Sequence, residues 1–115
     1  MNNLAEKIVK LLEDKKAQDV AKISVTDVTT ISDYFVIASG GSNTQVKALC
    51  DTIEEELEKD GIRPKHIEGY KEASWVLMDY YDVVVHIFYH ETREFYSLED
   101  LWSKTQELEG ENTDV

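Results

Sequence analysis

Tyr34-Phe35-Val36-Ile37-Ala38-Ser39-Gly40-Gly41-Ser42-Asn43 is the stretch that decides the fold. From Tyr34 to Ala38 the chain is almost continuously apolar, the pattern of a strand covered on both faces. Gly40-Gly41-Ser42 then breaks the run. Behind the break, Val46, Leu49, Cys50, Ile53 and Leu57 recur at helical spacing. That periodicity predicts a helix over 43–60, with Ser42 or Asn43 as its N-cap. Glu54, Glu55, Glu56 and Glu58 fall mostly on its wet side, and Gly61 followed by Pro64 marks its end. Strand, Gly-rich turn and helix running into a further strand predict a crossover unit of an α/β domain.

Working upstream, Leu4, Ile8, Leu11 and Leu12 predict a helix over 3–16. Val20, Ile23, Val25 and Val28 predict a strand over 20–28, and Thr29 to Asp33 reads as a turn. Downstream, a short strand is expected over 65–68 after Pro64, then a loop or turn over 69–73. Trp75–Asp79 and Val83–Tyr89 read as an antiparallel hairpin joined by Tyr80-Tyr81-Asp82. A last helical segment is expected over 91–102. The order α-β-β-α-β-β-β-α implies a mixed sheet of about five strands with helices packed on it. Residues 1–104 are expected to form this single domain. Residues 105–115 hold Glu107, Glu109, Glu111 and Asp114 and no base, and are expected to form a disordered acidic tail.

Composition narrows the function. A chain of 115 residues fits one domain and buries roughly two thirds of its unfolded surface. Twenty-four acids against twelve bases give a net charge of −12. Nucleic-acid affinity depends on Lys and Arg displacing counterions, so direct binding to DNA or RNA is not expected. A basic protein partner fits that field, as does simple solubility. The single cysteine, Cys50, allows no internal disulfide and lies in the apolar stripe of the second helix, which makes it a core residue. No apolar run reaches the roughly 20 residues of a membrane span. The N-terminus shows neither a signal peptide nor an Arg-rich transit peptide, so a cytoplasmic protein is expected.

Each possible catalytic feature has a simpler reading. The Gly40–Ser42 turn before a helix could cradle a phosphate, but no Walker or dinucleotide fingerprint accompanies it. A nucleotidyltransferase would need paired acids on a following strand to hold Mg²⁺. Asp51 and Glu54 lie on the helix itself, while Asp79 and Asp82 flank a hairpin turn, where acids are common. His86 and His90 lie on or near a strand, where four residues span roughly 13 Å, too far for one ion. No metal or cofactor is expected, and no enzyme signature emerges. Aromatics, by contrast, crowd the segment Trp75–Trp102: Trp75, Tyr80, Tyr81, Phe88, Tyr89, Phe95, Tyr96 and Trp102. Trp and Tyr suit recognition surfaces, whereas Phe88 and Phe95 are expected in the core.

In order along the chain stand Asp27-Val28, Ile31-Ser32-Asp33-Tyr34-Phe35, Ser39-Gly40-Gly41-Ser42 leading to Val46, and Gly61 with Pro64. They continue with Glu68-Gly69, Ala73-Ser74-Trp75-Val76-Leu77-Met78-Asp79, Asp82-Val83-Val84-Val85-His86-Ile87-Phe88 and Arg93-Glu94-Phe95-Tyr96-Ser97-Leu98-Glu99-Asp100-Leu101-Trp102. This series resembles the Iojap family of ribosomal silencing factors from about residue 4 to 102. The resemblance implies a stripped nucleotidyltransferase-like α/β core, no catalysis, and binding to the large ribosomal subunit through its ribosomal protein fourteen. It implies that the small subunit is thereby kept from joining and translation lowered when nutrients are scarce. It carries contact roles onto Trp75, Tyr96, Leu98 and Glu99, and implies a possible homodimer. Tyr81 stands where many relatives have Gly, and Ser97 where an acid is common. Two other readings stay open: a residual nucleotide-binding enzyme built on the Gly40–Ser42 turn, and a generic protein-interaction adaptor.

Overall fold

A computed structural model describes residues 3–25 and 33–92. Its elements are α1 (Asn3–Asp14), β1 (Gln18–Ser24), β2 (Tyr34–Gly40), α2 (Asn43–Lys59), β3 (His66–Glu68), β4 (Trp75–Asp79) and β5 (Val83–Tyr89). The five strands form one mixed sheet in the order β1-β2-β5-β4-β3. β2 and β5 run parallel, and the other three pairs are antiparallel. The mixed five-stranded α/β architecture and the β4–β5 hairpin agree with the sequence reading.

Two expectations need correction. The strand after α2 does not take the parallel place beside β2. β5 takes it, and β3 lies at the far edge of the sheet. β3 has only three residues, two of them exposed, whereas Val83–Phe88 are all buried. The long apolar strand therefore takes the centre, where both edges and both faces are covered. The first strand begins earlier than expected, at Gln18, and closes at Ser24 after a register irregularity between Gln18 and Ala21. Of the expected last helix only the start is described, a helical turn at 90–92. Its remainder, the 105–115 tail and the Thr29–Ser32 turn lie outside the described residues.

Strand alternation divides the sheet into two faces. Val36 and Ala38 of β2, Val76 and Met78 of β4, and Val83, Val85 and Ile87 of β5 pack beneath both helices. α1 contributes Ala5, Ile8 and Leu12, and α2 contributes Val46, Leu49, Cys50, Ile53 and Leu57, the stripe read from the sequence. Tyr80, at the hairpin turn, is also buried on this side. The opposite face carries a smaller cluster, Ile37 and Phe88, with Ile23, Phe35 and Trp75 packed against it.

Both helices end in the same hydrogen-bond pattern. In α2, Gly61 N–H donates to the Glu58 carbonyl and Ile62 N–H to that of Leu57, with φ +77 at Gly61. In α1, Lys16 N–H donates to Glu13 and Ala17 N–H to Leu12, with φ +63 at Lys16. Each is a Schellman cap, which needs a left-handed residue at its crossing point. No helix among the described residues is long and apolar enough to cross a membrane.

Candidate partner-docking site

The site forms on the sheet face opposite the helices, at the start of β4. Trp75 pairs with Phe88 in register across the hairpin, and their rings stack with centroids 5.0 Å apart. Leu77 pairs with His86, which places His86 diagonally next to Trp75 on the same face. The indole Nε1–H donates to His86 Nδ1 at 3.1 Å. From β2, Phe35 packs on the imidazole with ring centroids 4.9 Å apart. The result is a half-buried indole resting on a buried aromatic shelf.

His86 is 5% exposed. Burial pushes its pKa down to about 4, so the ring is neutral near pH 7. Because the indole is only a donor, Nδ1 must be the accepting nitrogen, and the neutral ring carries its proton on Nε2. That Nε2 is buried and finds no hydrogen-bond partner among the described residues.

A tight turn aims the chain into Trp75. Ala73 N–H donates to the Gly69 carbonyl at 2.9 Å, closing the loop 69–73, with φ +80 at Gly69 and +57 at Ala73. Asn43, the first residue of α2, ties this loop down: its Nδ2 donates to the Ala73 carbonyl at 2.9 Å. The Ser74 carbonyl accepts from Tyr89 N–H at 3.0 Å and starts the β4–β5 ladder.

The sequence-based candidates distribute as follows. Trp75 is the residue around which this candidate site is drawn, and Phe88 is fully buried beneath it, in the core as expected. Tyr96, Leu98, Glu99 and Phe95 lie outside the described residues. The two tyrosines of the β4–β5 turn have different surroundings. Tyr80 joins the core beneath the helices, and Tyr81 is 58% exposed at the hairpin turn. His86 entered the sequence analysis as a metal ligand, a role set aside there, and its part in holding the indole was missed. The signal was present as a lone imidazole inside the apolar run Val83-Val84-Val85-His86-Ile87-Phe88. Asn43 entered only as a cap candidate, since its partner Ala73 lies 30 residues away in sequence.

The possible catalytic groups take structural roles. Asp79 Oδ1 accepts from Tyr81 N–H at 2.8 Å, the turn chemistry anticipated for it. Cys50 is buried, and burial with nearby Asp51 and Glu54 pushes its thiol up to about 12. In the glycine turn, Ser42 caps α2 by accepting from Gln45 N–H at 3.0 Å. Gly41 N–H donates to Gln45 Oε1 at 2.6 Å. The Gln45 side chain thus takes the N–H that a phosphate cradle would offer to an anion. No group of three or more potential metal ligands gathers among the described residues.

The family profile described as ribosomal silencing factor during starvation matches residues 1–115. The chain belongs to the ribosomal silencing factor family. Among its silencing-factor relatives, "Ribosomal silencing factor RsfS" of Halalkalibacterium halodurans is 40% identical over 109 residues, covering 93% of each chain. The protein of the same name from Bacillus subtilis is 41% identical over 90 residues, 78% of this chain and 76% of the relative. A crystal structure of a Chromobacterium violaceum protein superimposes with a TM-score of 0.83 at 33% identity, covering 90% of this chain and 87% of that one. The silencing-factor resemblance read from the motif series is thereby established over the whole sequence.

Proposed function

We propose that this chain binds the large ribosomal subunit through its ribosomal protein fourteen, blocks the small subunit from joining, and so represses translation under nutrient limitation. The observation that carries the reading is Trp75. In a chain of the silencing-factor family, a half-buried indole is held on the Phe88–His86 shelf and stacked at 5.0 Å. A rigid aromatic anchor of this kind contributes large contact area with little ordering entropy. The closing motif supplies the rest of the proposed contact through Tyr96, Leu98 and Glu99. A steric block requires affinity and bulk, and no reactive group. The net charge of −12 favours encounter with a basic ribosomal protein over ribosomal RNA.

The test is subunit joining followed by light scattering, with purified large and small subunits and excess protein. Joining should be suppressed, and unchanged joining would sink the proposal. Trp75→Ala and Tyr96→Ala should each weaken docking, by roughly 2–4 kcal/mol for an anchor of this type. Normal binding by both variants would remove the site assignment while leaving the function standing.

A further inference from the structure

We propose that His86 is a positioning residue for docking: it orients the Trp75 indole that the partner meets, and its place in the sheet serves that role rather than stability. The inference rests on the docking role assigned to Trp75 above.

Position 86 lies in the middle of the most buried strand of the sheet, with Val85 and Ile87 on either side fully covered. An apolar residue would satisfy that environment completely. The imidazole does not, because its Nε2–H is a buried donor without a partner among the described residues. Such a group lowers stability relative to an apolar side chain of the same shape. A polar residue kept in so unfavourable a setting calls for a compensating interaction, and the structure offers one. Nδ1 accepts the Trp75 indole N–H at 3.1 Å.

The geometry makes that bond an orienting device. Stacking on Phe88 at an interplanar angle of 27° fixes the plane of the indole but leaves two χ2 settings, about 180° apart, that turn its Nε1 edge to opposite sides. The hydrogen bond at the indole edge selects one of the two. Phe35 packs on the imidazole at 4.9 Å, and the imidazole lies nearly parallel to Phe88, at 13° with centroids 6.5 Å apart. The acceptor is therefore itself held between two rings. A chain of fixed rings runs from β2 through β5 to the exposed edge of Trp75, and pre-orders the anchor before the partner arrives.

Two variants separate orientation from packing. His86→Phe keeps a ring and removes the acceptor. His86→Asn places an amide oxygen where Nδ1 stood and gives up the ring. The first readout is the indole Nε1–H resonance of Trp75 in ¹⁵N-labelled full-length protein, assigned by its loss in Trp75→Phe. His86→Phe should move the resonance upfield and speed its solvent exchange at least tenfold, while His86→Asn should retain the wild-type signature. The second readout is cosedimentation with large ribosomal subunits. His86→Phe should weaken docking at least fivefold, and His86→Asn by no more than twofold. If His86→Phe does not fold, His86→Leu provides the same contrast with His86→Asn.

An indole resonance unchanged in His86→Phe overturns the inference. So does wild-type docking by His86→Phe under conditions where Trp75→Ala loses it. If Trp75→Ala itself docks normally, the proposed docking site fails, and the resonance alone then decides whether His86 orients the indole.

Discussion

Gly69 lies against the backbone carbonyl of Trp75, so close that a Cβ at position 69 would overlap that oxygen, and it does so at φ +80. The Glu68-Gly69 pair recognised in the sequence as a motif thus has a physical purpose. Only a residue without a Cβ lets the loop 69–73 fold back onto the start of β4.

Gly69→Ala meets both a left-handed backbone and a backbone collision. The conformational part alone costs about 1–2 kcal/mol, and the chain must also shift at Trp75. Thermal unfolding should show a loss of at least about 2 kcal/mol. Tryptophan fluorescence of the folded variant should differ from wild type. A stability within about 0.5 kcal/mol of wild type would show that the loop relaxes freely.

The paired helix ends give an internal control. Lys16 and Gly61 occupy the same left-handed position of the same cap, one with a side chain and one without. A Cβ at Gly61 would meet nothing within 4 Å, so Gly61→Ala isolates backbone strain and should cost about 1 kcal/mol. Lys16→Gly should stabilise by roughly 0.5–1 kcal/mol and raise Tm by a few degrees. Urea unfolding of the two variants beside wild type checks both signs.

His86 makes stability depend on pH in a definite direction. In the unfolded chain an imidazole takes up its proton near pH 6.5, whereas burial holds folded His86 neutral down to about 4. Its contribution is complete above pH 6.5 and is lost as pH falls toward 4. Between pH 7 and pH 5 the loss should reach about 2 kcal/mol. Urea titrations at the two pH values measure it. His86→Phe should show a smaller difference by about that amount, because the carboxylates titrate equally in both proteins.

Cys50 should be silent in the native state. Burial raises its thiol to about 12, so almost no thiolate exists near pH 8. An aromatic disulfide reagent should label the denatured chain fully and the native chain only at the rate of unfolding. Rapid native labelling would mean that α2 lifts from the sheet.

The local signals were legible because they depend on residues close together in the chain. The α2 stripe, its Ser42 cap, the Gly61 stop and the β4–β5 hairpin follow from periodicity and turn chemistry, and all four stand in the structure. Strand order was less legible. Nothing near β3 says that it forms an edge, and the parallel neighbour of β2 is decided by which distant strand buries the most apolar surface.

The sequence by itself determined the element types, the core stripe of α2, the acidic field and the silencing-factor family, since each is written in local pattern or in the order of motifs. The tertiary structure decided what surrounds Trp75. Gly69, Asn43, Phe35, His86 and Phe88 converge on the indole or its loop from four separate segments. Their convergence depends on strand register: a shift of one residue would turn His86 to the opposite face and leave Trp75 without its acceptor.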